Sequence, residues 1–123
     1  MQINSFRVHN HRPALHFNTN LGTSSQAHSN NMARYHMFSH SGSNGVSWIT
    51  RIRYFGYRGR YLGENLAVGE FSPASVLRAW AYSPPHRANL LTYPYRSIGI
   101  GITRGYYGGH WAYWITTDFG GYL

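Results

Sequence analysis

The sequence predicts a single α+β domain, with helices first and a two-stranded hairpin last. Three observations carry that prediction. The chain has 123 residues, enough for one domain and too few for two. Up to Leu91 the apolar residues recur at helical spacing, interrupted by loops rich in Ser, Gly and Pro. From Arg96 onward the period changes to two, with Ile98, Ile100 and Ile102 alternating with glycine. A domain of this length buries about two-thirds of the surface its unfolded chain exposes, so a core without covalent staples is feasible.

Taken in order, Ile3 to Arg12 reads as a short helix with Ile3, Phe6 and Val8 apolar, closed off by Pro13. Ala14 to Phe17 is a linker anchored by Leu15 and Phe17. Thr19 to Tyr35 reads as a helix whose inward candidates are Leu21, Ala27, Met32 and Ala33. The composition of Ser39–Gly45 (SHSGSNG) is that of a loop. A helix from Val46 to Phe55 follows, with Val46, Ile49 and Ile52 inward, and Gly56 stops it. Tyr57 to Gly63 reads as a loop and Leu66 to Val68 as a short buried segment. Ser72 and Pro73 suit the cap and first turn of a helix carrying Val76, Leu77 and Trp80, which must end before Pro84-Pro85. Arg87 to Leu91 reads as a single turn. Arg96 to Arg104 is a strand, Gly105 to Gly109 a hairpin turn, and His110 to Phe119 an aromatic strand.

Hydrophobic residues make up 42% of the chain and aromatic residues 17%, which supports a packed interior. Only 11% are charged, so Ser, Asn, Thr, Tyr and Gly must cover much of the surface. The formal charge is +8, from eleven arginines and no lysine against three acidic residues. Arginine's planar fork suits carboxylates, phosphates and aromatic faces, so such a surface should draw polyanions, the plainer reading being that the charge serves solubility. With no cysteine, disulfides and thiolate chemistry are excluded. No apolar run reaches the roughly 18 residues of a membrane span. Met1 to Asn10 lacks the basic-then-apolar pattern of a signal peptide.

Several short signatures occur in one order. They are Asn10-His11-Arg12; Ala27-His28-Ser29 with Met32-Ala33; Phe38-Ser39-His40; Gly56-Tyr57; and Gly63-Glu64-Asn65-Leu66-Ala67 followed by Gly69. Trp80 with Ser83-Pro84-Pro85-His86-Arg87 and Asn89-Leu90-Leu91, then Ile98-Gly99-Ile100-Gly101 and Tyr113-Trp114, complete the series. Together they resemble the CAP superfamily of cysteine-rich secretory proteins, antigen 5 and pathogenesis-related proteins (the SCP domain). The SPPHR block and the lack of cysteine are similar to its bacterial branch. The resemblance spans nearly the whole chain, Met1 to Leu123 being one SCP domain. It implies a three-layer α-β-α sandwich with a small antiparallel sheet, and an extracellular or cell-envelope location. It also implies a cavity formed by His40, Glu64 and His86, three members of the family's tetrad of two histidines and two acids. The fourth position is occupied here by Ser83.

Two imidazoles and one carboxylate with an open position are the ligand set of a hydrolytic zinc site, so His40, His86 and Glu64 are the expected ligands of a Zn²⁺ ion and the expected catalytic residues. The opposing expectation makes Glu64 structural, a partly buried carboxylate between two imidazoles. His36 and His40 stand four apart, but the loop composition around His40 argues against a shared helical face. His9, His11, His16 and His28 read as surface or capping residues. Ser39 lies beside His40, yet adjacent side chains on an extended backbone point apart and no orienting acid is evident. Trp111, Tyr113, Trp114 and Phe119 read as core. Arg51, Arg53, Arg58 and Arg60, interleaved with Tyr54, Phe55, Tyr57 and Tyr61, read as a solvated face. Three functions compete. The first is a binding domain for an anionic wall polymer or lipid, with a metal-capable cavity. The second is a zinc- or His/Glu-dependent hydrolase, and the third a ribonuclease-like enzyme using His40 and His86 as acid and base. Nucleic acid is the less expected partner, and oligomeric state is open.

Overall fold

The computed structural model of the protein describes residues 1–70 and 72–122. Among the described residues five helices and four strands follow one another as α1 (Gln2–His9), β1 (His16–Phe17), α2 (Thr19–Tyr35), α3 (Trp48–Tyr54), β2 (Tyr61–Gly69), α4 (Pro73–Tyr82), α5 (Pro84–Leu90), β3 (Ser97–Tyr107) and β4 (His110–Gly121). The sheet order is β1-β3-β4-β2. Its three long strands are antiparallel, while the two-residue β1 pairs parallel to β3 through His16↔Ser97. The sheet is therefore mixed rather than purely antiparallel, because part of the expected Ala14–Phe17 linker joins its edge.

Period two sorts the sheet's faces. Ile98, Ile100, Ile115 and Phe119 join Ile3, Val76, Trp80 and Leu90 from α1, α4 and α5 in one core. On the other face Trp114 and Leu66 pack with Met32 of α2. This is the expected three-layer sandwich. The glycines between the isoleucines have a steric purpose: a Cβ on Gly99 would lie 2.1 Å from the Leu21 carbonyl carbon, and one on Gly101 2.3 Å from that of Ser25. Helix α2 can rest this close because its inward stripe is Ser24, Ser25, His28 and Ser29 as well as Leu21 and Met32. Ser29 Oγ donates to the Gly101 carbonyl at 2.9 Å. Asn18 caps the helix by accepting from Leu21 N at 3.0 Å.

Several boundaries move. Helix α3 starts at Trp48, capped by Ser47, so Val46 and Ile49 are exposed and only Ile52 of the three expected positions is buried. Strand β2 begins in the expected loop and runs through the Glu64-Asn65 pair, whose polar side chains mask a strand buried on both faces. Ser83 ends α4 and begins α5, with Pro84 at the first helical position, where its missing N–H costs nothing. The hairpin turn shrinks to Gly108 and Gly109, both at positive φ. Of the aromatic strand, Trp114 and Phe119 are buried but Trp111 and Tyr113 stay 49% and 41% exposed.

Candidate functional site

Glu64 on β2 and Asp118 on β4 are cross-strand partners in register, both facing α2 and α3. Arg51 reaches in from α3 and donates through Nη2 to Glu64 Oε2, with Asp118 Oδ1 3.5 Å from the same nitrogen. Its Nε donates to Ser24 Oγ at 3.1 Å and its Nη1 to the His40 carbonyl at 3.3 Å. Ser24 and Ser25 each donate to Asp118 Oδ2 at 3.0 Å. Two carboxylates thus meet one guanidinium in a buried space. Burial, then the adjacent Glu64 carboxyl, raises Asp118 well above the ordinary carboxylate range. Burial also raises Glu64, against the pull of Arg51. The arrangement favours one retained proton, on Asp118, with Glu64 ionised against Arg51.

His40 sits in the loop after α2 and gives its Nδ1 hydrogen to Glu64 Oε1 at 2.8 Å. Its side chain is 51% exposed, against 1% for Glu64, so Nε2 is the outward nitrogen. Burial, then the nearby Arg51 charge, lowers its pKa, so the ring is neutral near pH 7. His86 stands at the start of α5 with Nδ1 2.8 Å from Ser83 Oγ. Burial, then His40, lowers its pKa. Helix α5 is stitched to β2 beside them. Asn89 Nδ2 donates to the Glu64 carbonyl and to Asn65 Oδ1, and Asn65 Nδ2 donates to the His86 carbonyl. The G-E-N and S-P-P-H-R-x-N signatures are therefore two halves of one clamp.

His40 and Glu64 are brought into contact, while His86 faces Ser83. A zinc cage from all three does not fit: both Glu64 oxygens are engaged by His40 and Arg51. Among the described residues no group of three histidines and carboxylates is arranged to hold a metal ion. Glu64 lies between an imidazole and a guanidinium rather than between two imidazoles, because α3 delivers Arg51 to its second oxygen. Arg51 is correspondingly buried, not part of a solvated face. His40 does have an orienting acid. Ser39 has none of the triad's geometry, its Oγ accepting from Ser41 N. His28 is also corrected from surface to interior. It is 1% exposed, donates from Nε2 to the Ser39 carbonyl at 2.6 Å, and has its pKa lowered to about 4, chiefly by burial. The signal for Asp118 was present in the sequence: a lone acid inside an apolar strand, in a chain with three, where β-propensity disfavours it.

The cysteine-rich secretory protein family (CAP) matches residues 2–119. The chain belongs to the CAP family. This CAP domain is 32% identical over 87 residues to the uncharacterized protein YkwD of Bacillus subtilis, covering 71% of the chain and 34% of YkwD. It thus spans about a third of that relative. A solved extracellular protein of Bacillus anthracis containing an SCP domain superposes with a TM-score of 0.81 at 24% identity, covering 97% of this chain and 37% of that one. An outer surface protein of Borrelia burgdorferi gives 0.83 at 20% identity, covering 99% and 88%. The two likenesses show the same fold in proteins described as extracellular or outer-surface.

Two clefts open on opposite faces of the sheet. One of about 530 Å³ runs between α1, α4 and the sheet, lined by apolar residues including Ile3, Val76, Trp80, Ile100 and Ile115. The other, about 390 Å³, opens between α2, α3 and the Gly42–Val46 loop and reaches His28 and Arg51. No helix among the described residues is long and apolar enough to cross a membrane.

Proposed function

We propose that this CAP domain is an extracellular or envelope binding domain whose arginine surface engages an anionic wall polymer or lipid. The observation that carries the reading is how the fold sorts its charges. Glu64 and Asp118 are turned inward onto Arg51, which leaves Glu70 as the one exposed acidic side chain among the described residues. Nine arginines remain outside the core, only Arg7 and Arg51 being buried. A surface of one sign attracts polyanions over a Debye length, about 10 Å at 0.1 M salt. Relatives described as extracellular or outer-surface agree with this location. The test is co-sedimentation with purified bacterial walls, before and after removal of their phosphate polymers. Binding that is strongest at low salt and lost with those polymers supports the reading; binding indifferent to both overturns it.

A second reading, hydrolysis, has one specific observation in its favour. The His40 Nδ1–Glu64 bond presents Nε2 as a lone pair to solvent, the posture of a general base. A divalent ion such as Zn²⁺ would find Nε2 of His40 as its imidazole donor, with Glu64 orienting that ring rather than ligating. Glu64→Gln keeps the shape but removes the charge behind His40. Unchanged turnover of peptide or wall substrates by that variant would end the hydrolase reading.

A further inference from the structure

We propose that Arg12, Arg96 and Tyr93 form a binding site for phosphate oxyanions, where a phosphodiester chain or a phosphate headgroup docks. The inference rests on the anionic-ligand reading above and gives it an address. Arg96 Cζ lies 5.0 Å and Arg12 Cζ 5.8 Å from the centroid of the Tyr93 ring, which is 54% exposed. The two guanidiniums are thus within about 11 Å of each other, close enough for one polyanionic chain to bridge. Neither swings freely. Arg12 Nε donates to the Leu91 carbonyl at 2.7 Å, and Arg96 Nη1 donates to the Tyr93 and Tyr95 carbonyls. Each keeps further N–H groups without a protein partner among the described residues.

Beneath them lies buried Arg7, whose donors end on the carbonyls of Pro13, Leu90, Thr92 and Tyr95. Three guanidiniums therefore surround the loop after α5, and every ion pair among the described residues involves Glu64 or Asp118 instead. The mutual repulsion registers in Arg7, lowered to about 10 by burial first and then by Arg96 and Arg12. His11, next to Arg12, holds a left-handed backbone at φ 61, a conformation that non-glycine residues adopt at a cost. An uncompensated cationic cluster on a pinned frame gains most from an anion with several oxygens spread around one centre. Phosphate meets that requirement, whereas a carboxylate fills only one fork.

The experiment is calorimetric titration of the whole chain with a glycerol-phosphate oligomer, with polyglutamate, and with phosphatidylglycerol vesicles. The variants are R12Q/R96Q, R58Q/R60Q as an equal-charge control elsewhere, and Tyr93→Leu as a milder probe that keeps every charge. The expected result is at least tenfold weaker phosphate binding in R12Q/R96Q, under threefold weaker in R58Q/R60Q, and an intermediate loss in Tyr93→Leu. The salt slope of R12Q/R96Q should fall by roughly two released counterions. Whether the oligomer or the vesicle shows this pattern identifies the source of the phosphate. Equal losses in both double variants, or polyglutamate bound as tightly, would overturn the site and leave the surface reading standing. No binding of any polyanion by the unaltered chain would overturn that reading itself. A matching thermal midpoint for Tyr93→Leu separates lost binding from lost folding.

Discussion

Arg7 and Arg51 are both buried guanidiniums in this CAP domain, one on each side of the sheet, and they are held in opposite ways. Arg7, on the side of α1 and α5, touches no acid. Its fork satisfies carbonyls of Pro13, Leu90, Thr92 and Tyr95, tying the amino-terminal helix to the loop before β3. Arg51, on the side of α2 and α3, faces two carboxyls and carries the histidine loop with it through the His40 carbonyl. The difference shows two ways to bury a cation. Dipoles do so without introducing a titrating partner. Counter-charges do so more strongly, but their effect depends on the protonation of Glu64 and Asp118.

The largest effect should come from removing the charge-paired member. Arg51→Met leaves two buried carboxyls without a cation, and should cost about 3–5 kcal/mol at pH 7. Urea unfolding at pH 7 and pH 4 checks this, since the penalty should shrink where both carboxyls are protonated. Arg7→Met should cost less, about 2–3 kcal/mol for dry carbonyls, and should cost the same at both pH values. A pH-dependent loss at Arg7 would erase the contrast between the two regions.

Two smaller effects sharpen it. The unfolded chain takes up a proton on His28 near pH 6.5, whereas the folded chain refuses it until about pH 4. Stability should therefore fall as pH drops through that window, by about 3 kcal/mol in total. In His28→Gln this acid slope should be flattened, as read by denaturation at half-unit pH steps. Last, Asp118→Asn should cost under about 1 kcal/mol at pH 7 if Asp118 is already protonated, since an amide preserves the hydrogen-bonding shape. A loss above about 2 kcal/mol would place the negative charge on Asp118 instead.

The layers of the fold were legible because periodicity is local. Ile98, Ile100 and Ile102 announce a strand, and Ser72-Pro73 announces a helix start, without reference to anything distant. Strand β2 was not, because Glu64 and Asn65 break the apolar pattern for the sake of partners on β4 and α5. In the site, His40, Glu64 and His86 came from ordered signatures. Arg51 and Asp118, which set the charge of Glu64, carried only weak marks. Arg51 looked like its neighbours Arg53 and Arg58, and nothing local distinguishes the arginine that turns inward.

By itself, then, the sequence determined the family, the order of the helices and the final hairpin, and an overwhelmingly basic chain without cysteine. The tertiary structure decided which charges face water. Cross-strand register sets Glu64 beside Asp118, and α3 drops Arg51 between them. The same packing leaves Arg12 and Arg96 uncompensated on the far side. That outcome could not be read along the chain, because ionic pairing depends on distances between residues on different elements, and only the folded sheet brings those residues together.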